Sequence, residues 1–383
     1  MAEITKVTVA GVTGAIGQPL VEALAQAGFT VQALTRTGLS DTVQRSLNGI
    51  KVIQTDYTNR QQLELALQGQ HAVISTLGDT AGAVAAQQAL IEASLATGVH
   101  RFIPSEFGSD TLHPRVRTFP FFATKLAHQA LLHHAATSTH HPNFTYTLLI
   151  TGPFLDWGLS TVPFILNLGT RNATLYDGGN VPFSTTRVST LVAALVATLR
   201  KPHATANRTL YIHDGIITQN QLLAQATALL PTPTTTTTTT TGDHQQHFTR
   251  TLVDTRVLEA EAWEAFHAVQ ADPLTWIFPF INASLWSRDQ LCVFRRTDNR
   301  LLGLPELEGV ELAGVVEDEV RAALRVFGIC GNGGNGGGVC APLPSLAGEG
   351  GVPIDGMPAV DSRTADKAFE EGRAKLAGFV LSS

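Results

Sequence analysis

Val7-Thr8-Val9-Ala10-Gly11-Val12-Thr13-Gly14-Ala15-Ile16-Gly17 carries more information than any other stretch of this chain. A short apolar run enters three glycines spaced Gly-x-x-Gly-x-x-Gly and leaves as an alanine- and leucine-rich segment, which reads as strand, turn and helix. Gly11 permits the tight turn, Gly14 lets the backbone approach a pyrophosphate, and Gly17 lets the helix pack closely on the strand. Thr13, Ala15 and Ile16 then line the turn, and the helix N-terminus faces an anion. Three glycines in seven residues also occur in ordinary turns, so context decides. Here an amphipathic pattern from Ile16 to about Ala27 follows, and Thr30-Val31-Gln32-Ala33-Leu34 reads as a second strand, completing a βαβ opening.

The residues after that second strand are Thr35-Arg36-Thr37, and no acidic residue follows until Asp41. An acidic side chain there would bond a ribose 2′-hydroxyl, whereas arginine suits a 2′-phosphate. Arg36 therefore favours NADP(H) over NAD(H), the alternative being a solvated surface arginine. Further strands are expected at Lys51-Val52-Ile53, His71 to Leu77, Arg101-Phe102-Ile103 and Phe144 to Ile150, with helical segments between them. Six strands alternating with helices predict a doubly wound α/β parallel sheet of the Rossmann type over residues 1–151. Ligands of such sheets sit outside the carboxyl ends of the strands, which places Gly78, Ser105 to Gly108 and Thr151 to Asp156 on the ligand side. Asp56, after the third strand, is expected to cap its loop or bond the adenine.

Past Gly152 the alternation fades, and Pro153, Pro163 and Asp177-Gly178-Gly179-Asn180 suggest a smaller, irregular α+β substrate region over residues 152–328. Thr218-Gln219-Asn220-Gln221 reads as a capping box opening a helix after a strand at Tyr211-Ile212. A threonine-rich insertion occupies 232–242, and a glycine-asparagine linker opens a tail over 329–383, where Asp366 to Leu376 could form a terminal helix. The glycine run has no strand and amphipathic helix around it, so it is not read as a second phosphate loop.

The 383 residues carry 26 basic against 32 acidic side chains, a net charge of −6, and no basic stripe, so a nucleic-acid footprint is not expected. Three cysteines, Cys292, Cys330 and Cys340, have no metal-ligand spacing, and with no secretory segment the expected location is cytoplasmic. The most apolar region, about Leu148 to Leu168, is interrupted by Pro153, Asp156, Gly158 and Pro163, so no membrane span is expected. His133-His134 and His140-His141 are not read as a metal site, because adjacent helical side chains diverge by about 100° and no acidic or cysteine ligand lies near. Glu106 and Asp110 suit capping and loop bonding better than an acid/base pair.

Phe119-Pro120-Phe121-Phe122-Ala123-Thr124-Lys125 enters a helix after the fifth strand. The glycine turn, Arg36, the run Arg101-Phe102-Ile103-Pro104-Ser105-Glu106-Phe107-Gly108-Ser109-Asp110 and Lys125 together resemble the isoflavone-reductase-like branch of the NmrA-like family, which are atypical short-chain dehydrogenases. Gly152 to Gly158 and Tyr176-Asp177-Gly178-Gly179 resemble its subgroup in filamentous fungi, often found beside secondary-metabolite genes. The resemblance covers about residues 5–328 without the threonine tract. It implies that NADPH delivers hydride to a phenylpropanoid- or isoflavonoid-like acceptor while Lys125 takes part in proton transfer. Burial can bring a lysine from its solution pKa of roughly 10.4 toward neutrality, where it exchanges protons. The alternative is a ribose-anchoring or surface lysine.

Two departures stand out. Ordinary short-chain dehydrogenases use Tyr-x-x-x-Lys, and this chain has Phe121-x-x-x-Lys125; the family tends to carry a basic residue where this chain has Gln129. Without the phenol, reduction of a conjugated alkene, enone or quinone-methide-like acceptor fits better than simple ketone reduction. Phe107, Phe154, Asp156 and Trp157 are expected to line the substrate pocket, the aromatics being equally suited to core packing. The main alternative is a regulatory NmrA-like protein that binds dinucleotide without turnover and reports redox state to a protein partner. A scaffold with decayed activity is a third.

Overall fold

Seven parallel strands form the central sheet of the computed structural model, which describes residues 3–38, 44, 47, 49–78, 81–161, 164–230, 248–268, 272–327 and 329. The threonine tract, the glycine-asparagine run, the 366–376 segment, Asp41, Pro163, Cys330 and Cys340 lie outside the described residues. In chain order the strands are β1 (Lys6–Ala10), β2 (Thr30–Thr35), β3 (Lys51–Gln54), β4 (Ala72–Ser75), β5 (Arg101–Ile103) and β6 (Thr145–Ile150). Two strands that lie elsewhere follow, β7 (Asn172–Tyr176) and β8 (Phe183–Thr185), before β9 (Arg208–Tyr211) returns to pair with β6. The spatial order is β3-β2-β1-β4-β5-β6-β9, reversing at β1, as in a doubly wound fold. The seventh strand thus comes from beyond residue 151. The fourth is shorter than its apolar run: Thr76 makes the last backbone bond to β1, its N donating to Ala10 O (2.8 Å), and its Oγ1 donates to Ala10 O (2.8 Å) and Gly11 O (3.2 Å).

β1 and β4 are buried on both faces, which is why they read as unbroken apolar runs. One face of the sheet is covered by α1 (Gly17–Gln26), whose Leu20, Val21 and Leu24 pack with Val7 and Val9. The opposite face carries α2 (Arg60–Leu67), α3 (Ala81–Ala96) and α4 (Ala123–Thr137), which bury Leu63, Leu90 and Leu132 against Val73 and Phe102. The chain then makes α5 (Leu155–Ser160) and α6 (Val188–Arg200), the latter packing beside α1 through Leu191, Leu195 and Leu199.

The second region pairs β8 with β10 (Gly215–Ile217) and β7 with β11 (Thr249–Val253). Its core gathers α7 (Gln219–Leu229), opened by the Thr218/Gln221 capping box, around Trp286, whose ring stacks on Tyr176 at 5.0 Å. Trp286 ends the second of two helices, α8 (Thr255–His267) and α9 (Leu274–Trp286), which form an aromatic cluster with Phe119 and Phe122. α10 (Asn299–Leu302) and α11 (Gly309–Val326) complete the described elements. No helix among the described residues is long and apolar enough to cross a membrane.

Candidate cofactor and active site

The glycine turn is built by backbone contacts that leave no room for side chains. Gly11 has φ +92°, and a Cβ there would stand 2.8 Å from Thr76 O. A Cβ on Gly17 would meet Gly11 O at 2.2 Å, so β1 and α1 approach as closely as backbones can. Gly14 differs: its N–H donates to Gly11 O (3.1 Å), and a Cβ would touch only that oxygen, at 3.4 Å. Thr13, Gly14 and Ala15 are exposed and Ile16 half-buried. Ile16, the N-cap, supplies no side-chain cap to α1. The positive end of the helix therefore opens onto the carboxyl edge of the sheet, over a bare glycine.

Arg36 is exposed one residue past β2. It is held beside the end of β3 by Thr55 N donating to Thr35 O (2.9 Å) and Gln54 Nε2 donating to Arg36 O (3.4 Å). Asp56 has its Oδ1 taken by Thr58 N and Oγ1, both at 2.8 Å, which holds the carboxyl below its usual range. The capping role expected of it is thus filled. Next to it Tyr57 is buried, and its hydroxyl has no hydrogen-bond partner among the described residues. Burial pushes that phenol up while the Arg36 charge pulls it down. Gly78 is exposed just past β4.

Lys125 stands in the first turn of α4, half-buried. Its Nζ donates to Ser105 O (3.2 Å) and Glu106 O (3.0 Å), the first carbonyls of the loop that leaves β5. That loop is tightly held. Phe107 adopts φ +24°, a left-handed conformation rare for a bulky side chain. Glu106 Oε2 accepts from Thr111 Oγ1 (3.1 Å), which accepts from Gln129 Nε2 (2.8 Å). Asp110 Oδ1 accepts from the Tyr211 hydroxyl at 3.0 Å, and burial raises the Asp110 carboxyl. Gly108 O accepts from Gly152 N (2.9 Å), joining this loop to the one that leaves β6.

The four residues expected to line a substrate pocket lie in and around the loop that leaves β6 and the loop that leaves β5. The Phe107 ring is buried in the core beneath the sheet edge, and Phe154 is half-buried against the same cluster, its backbone bridging to Thr186. Asp156 accepts from Val188 N through both oxygens (3.2 and 3.0 Å), capping α6, with its carboxyl raised chiefly by burial. Trp157 is half-buried on α5. Phe121, at the position of the missing phenol, is half-buried beside the aromatic cluster of α8 and α9, its ring edge-on to Phe122 at 5.0 Å. Gln87 and His128, which the sequence reading passed over, are buried behind Ser105. Nothing in their local sequence marks them, because their contacts join positions 41 and 18 residues apart.

A doubly wound sheet whose first strand meets a helix N-terminus, without a side-chain cap, across a three-glycine turn defines a Rossmann-type protein. The sequence profile of the NmrA-like family matches residues 3–224, and the chain belongs to that family, among its isoflavone-reductase-like oxidoreductases. Oxidoreductase poxI of Penicillium oxalicum is 34% identical over 221 residues, 57% of this chain and 68% of that protein. Isoflavone reductase homolog P3 of Arabidopsis thaliana is 31% identical over 235 residues, 58% of this chain and 73% of that protein. The fold is similar to that of leucoanthocyanidin reductase from Vitis vinifera, solved with NADPH, at a TM-score of 0.59 and 17% identity over 82% of this chain and 99% of that one.

Proposed function

We propose that the protein is an NADPH-dependent reductase of a small conjugated acceptor, aromatic or polyketide-like, in the secondary metabolism of the cytoplasm. The observation that carries this reading is Lys125 Nζ, pinned by the carbonyls of Ser105 and Glu106 at the end of β5, on the edge of the sheet onto which the glycine turn opens.

The residues fit the dinucleotide. Gly11 and Gly17 let the strand and helix close on each other, Gly14 keeps the turn between them bare, and the amides of Thr13, Ala15 and Ile16 lie beside it. The first turn of α1 supplies N–H donors for a pyrophosphate. Arg36 is placed for a 2′-phosphate, with Gly78 and Ser105 farther along the same edge. Asp56 is engaged by Thr58, so its part is to shape the adenine side of the site. When bound, NADPH supplies the hydride.

Lys125 supplies the proton. Two backbone carbonyls hold its ammonium in one place, on the side from which an acceptor oxygen would be protonated as negative charge develops there. Phe121 offers no hydroxyl, so a carbonyl reduced through a tyrosine acid is not the chemistry this site supports. A conjugated acceptor takes the hydride on its distal carbon and spreads the charge as an enolate or phenolate, a weaker base than an alkoxide, so it makes less demand on the proton donor.

The test is NADPH oxidation against a panel of enones, quinones and cinnamyl-type acceptors, comparing wild type with Lys125→Met. A general acid is worth about 10²- to 10⁴-fold, so kcat should fall by that much while the Kd for NADPH stays within about threefold. Weakened NADPH binding with kcat kept at saturation would make Lys125 a ribose anchor. NADPH binding with no turnover of any acceptor would favour the non-catalytic, redox-reporting reading with a protein partner.

A further inference from the structure

We infer that Gln87 and His128 are positioning residues for Lys125: a buried carboxamide–imidazole bridge anchors the backbone at Ser105, and through that residue's carbonyl the ammonium. This rests on the reading of Lys125 as the proton donor. Its physical content can be tested separately.

Gln87 lies on α3 and His128 on α4, 5% and 3% exposed respectively. Ser105 N donates to Gln87 Oε1 at 2.8 Å. A backbone N–H can only donate, so the carboxamide oxygen faces Ser105 and the NH₂ faces His128, 3.1 Å from Nδ1. Nδ1 must therefore accept. The imidazole is neutral with its proton on Nε2, because a protonated Nδ1 would set two donors against each other. Burial, reinforced by the Lys125 charge, favours that neutral form.

The bridge acts on Lys125 through one residue, Ser105, whose Cα joins the peptide held by Gln87 to the peptide whose carbonyl meets the ammonium. The Ser105 residue whose N–H is held by Gln87 is the one whose carbonyl accepts from Lys125 Nζ at 3.2 Å. His128 is also three residues beyond Lys125, one turn along α4, so the same imidazole that fixes the carboxamide fixes the rotation of the helix carrying the lysine. With the bridge broken, the loop from β5 can turn the Ser105 carbonyl away. The ammonium then loses one of its two described acceptors, and its proton is held less firmly.

The experiment is competitive acetylation of the full chain with acetic anhydride across a pH series, reading Lys125 against exposed Lys51 by mass spectrometry. The samples are wild type, Gln87→Met, His128→Leu and His128→Asn. Asparagine can present its Oδ1 where Nδ1 stood, so it should restore the bridge. Gln87→Met and His128→Leu should move the Lys125 labelling midpoint to lower pH and raise its labelling at pH 7 relative to Lys51. An increase of at least about threefold corresponds to a half-unit shift. His128→Asn should match wild type. Wild-type labelling in folded Gln87→Met and His128→Leu overturns the inference, whatever Lys125→Met does to turnover. Should those variants fail to fold, long-range ¹H–¹⁵N NMR of the wild-type imidazole decides: an unprotonated Nδ1 supports the bridge, and a protonated one refutes it.

Discussion

Gly14→Ala separates binding from folding, because the turn treats its glycines differently. A methyl at Gly14 meets nothing closer than Gly11 O at 3.4 Å, an ordinary contact, and Gly14 is not among the glycines with positive φ. Replacing such a glycine reduces the freedom of the unfolded chain and is worth roughly 0.4–1 kcal/mol in favour of the fold. The melting temperature should hold or rise slightly. The same methyl adds bulk at the turn before the helix N-terminus, where the assignment puts a pyrophosphate. Lengthening two charge-assisted hydrogen bonds, each worth about 1.5–3 kcal/mol, would weaken NADPH binding by roughly two orders of magnitude. Gly17→Ala is the converse: its methyl would stand 2.2 Å from Gly11 O and 2.8 Å from Val12 Cα, both backbone atoms. Overpacking there costs about 2–3 kcal/mol, a fall in Tm of roughly 3–9 °C. Calorimetry with NADPH and thermal melts on both variants are the assay. A Gly14→Ala protein that binds NADPH like wild type would refute the assignment of this turn to the pyrophosphate.

Two further outcomes concern buried groups. In the fold, burial and then the Lys125 charge bring His128 from 6.5 down to about 4, so between those values the unfolded chain binds the proton more tightly. The stability tied to the neutral ring is therefore fully present above about pH 6.5 and is lost as pH falls toward 4; it amounts to ~3 kcal/mol at most. The Tm difference between wild type and His128→Asn should change by a matching amount over that interval, and a difference independent of pH would contradict it. Arg101→Met should cost about 2–4 kcal/mol in urea unfolding. It removes bonds to the Thr145, Thr147 and Thr205 hydroxyls (2.9, 3.0 and 3.0 Å) and to Pro202 O (2.6 Å) from a fully buried guanidinium. NADPH affinity should stay as it was, since the side chain ties β5 to β6 and the 202–205 turn; a loss under about 0.5 kcal/mol would remove that structural role.

The inner strands were legible because burial on both faces writes a parallel strand as an apolar run, whereas β3, half-exposed at the sheet edge, showed only as the Val52-Ile53 pair. The glycine turn was legible for a different reason, the absence of space for a Cβ at Gly11 and Gly17. β9 was harder to place: the sequence pointed to Tyr211-Ile212, whereas the strand runs from Arg208 to Tyr211, and nothing local signals its pairing with β6, reached by a crossover through α6. At the site, Lys125 could be singled out but its acceptors could not, since Ser105 and Glu106 bind it through carbonyls that every residue possesses. Asp156 looked like a pocket carboxylate because it follows the β6 edge, whereas its oxygens serve Val188, 32 residues away. The arginine that opens Arg101-Phe102-Ile103-Pro104-Ser105 marked a strand in the sequence, and its part in holding the sheet to the 202–205 turn shows only in the fold.

The most direct test is a calorimetric titration of the purified protein with NADPH, NADP⁺, NADH and NAD⁺, repeated on Arg36→Ala. The account predicts that NADPH binds at least tenfold more tightly than NADH, and that Arg36→Ala erases this preference while leaving NADH affinity nearly unchanged. Failure to bind any of the four, or an equal loss for both reduced forms in Arg36→Ala, would contradict it.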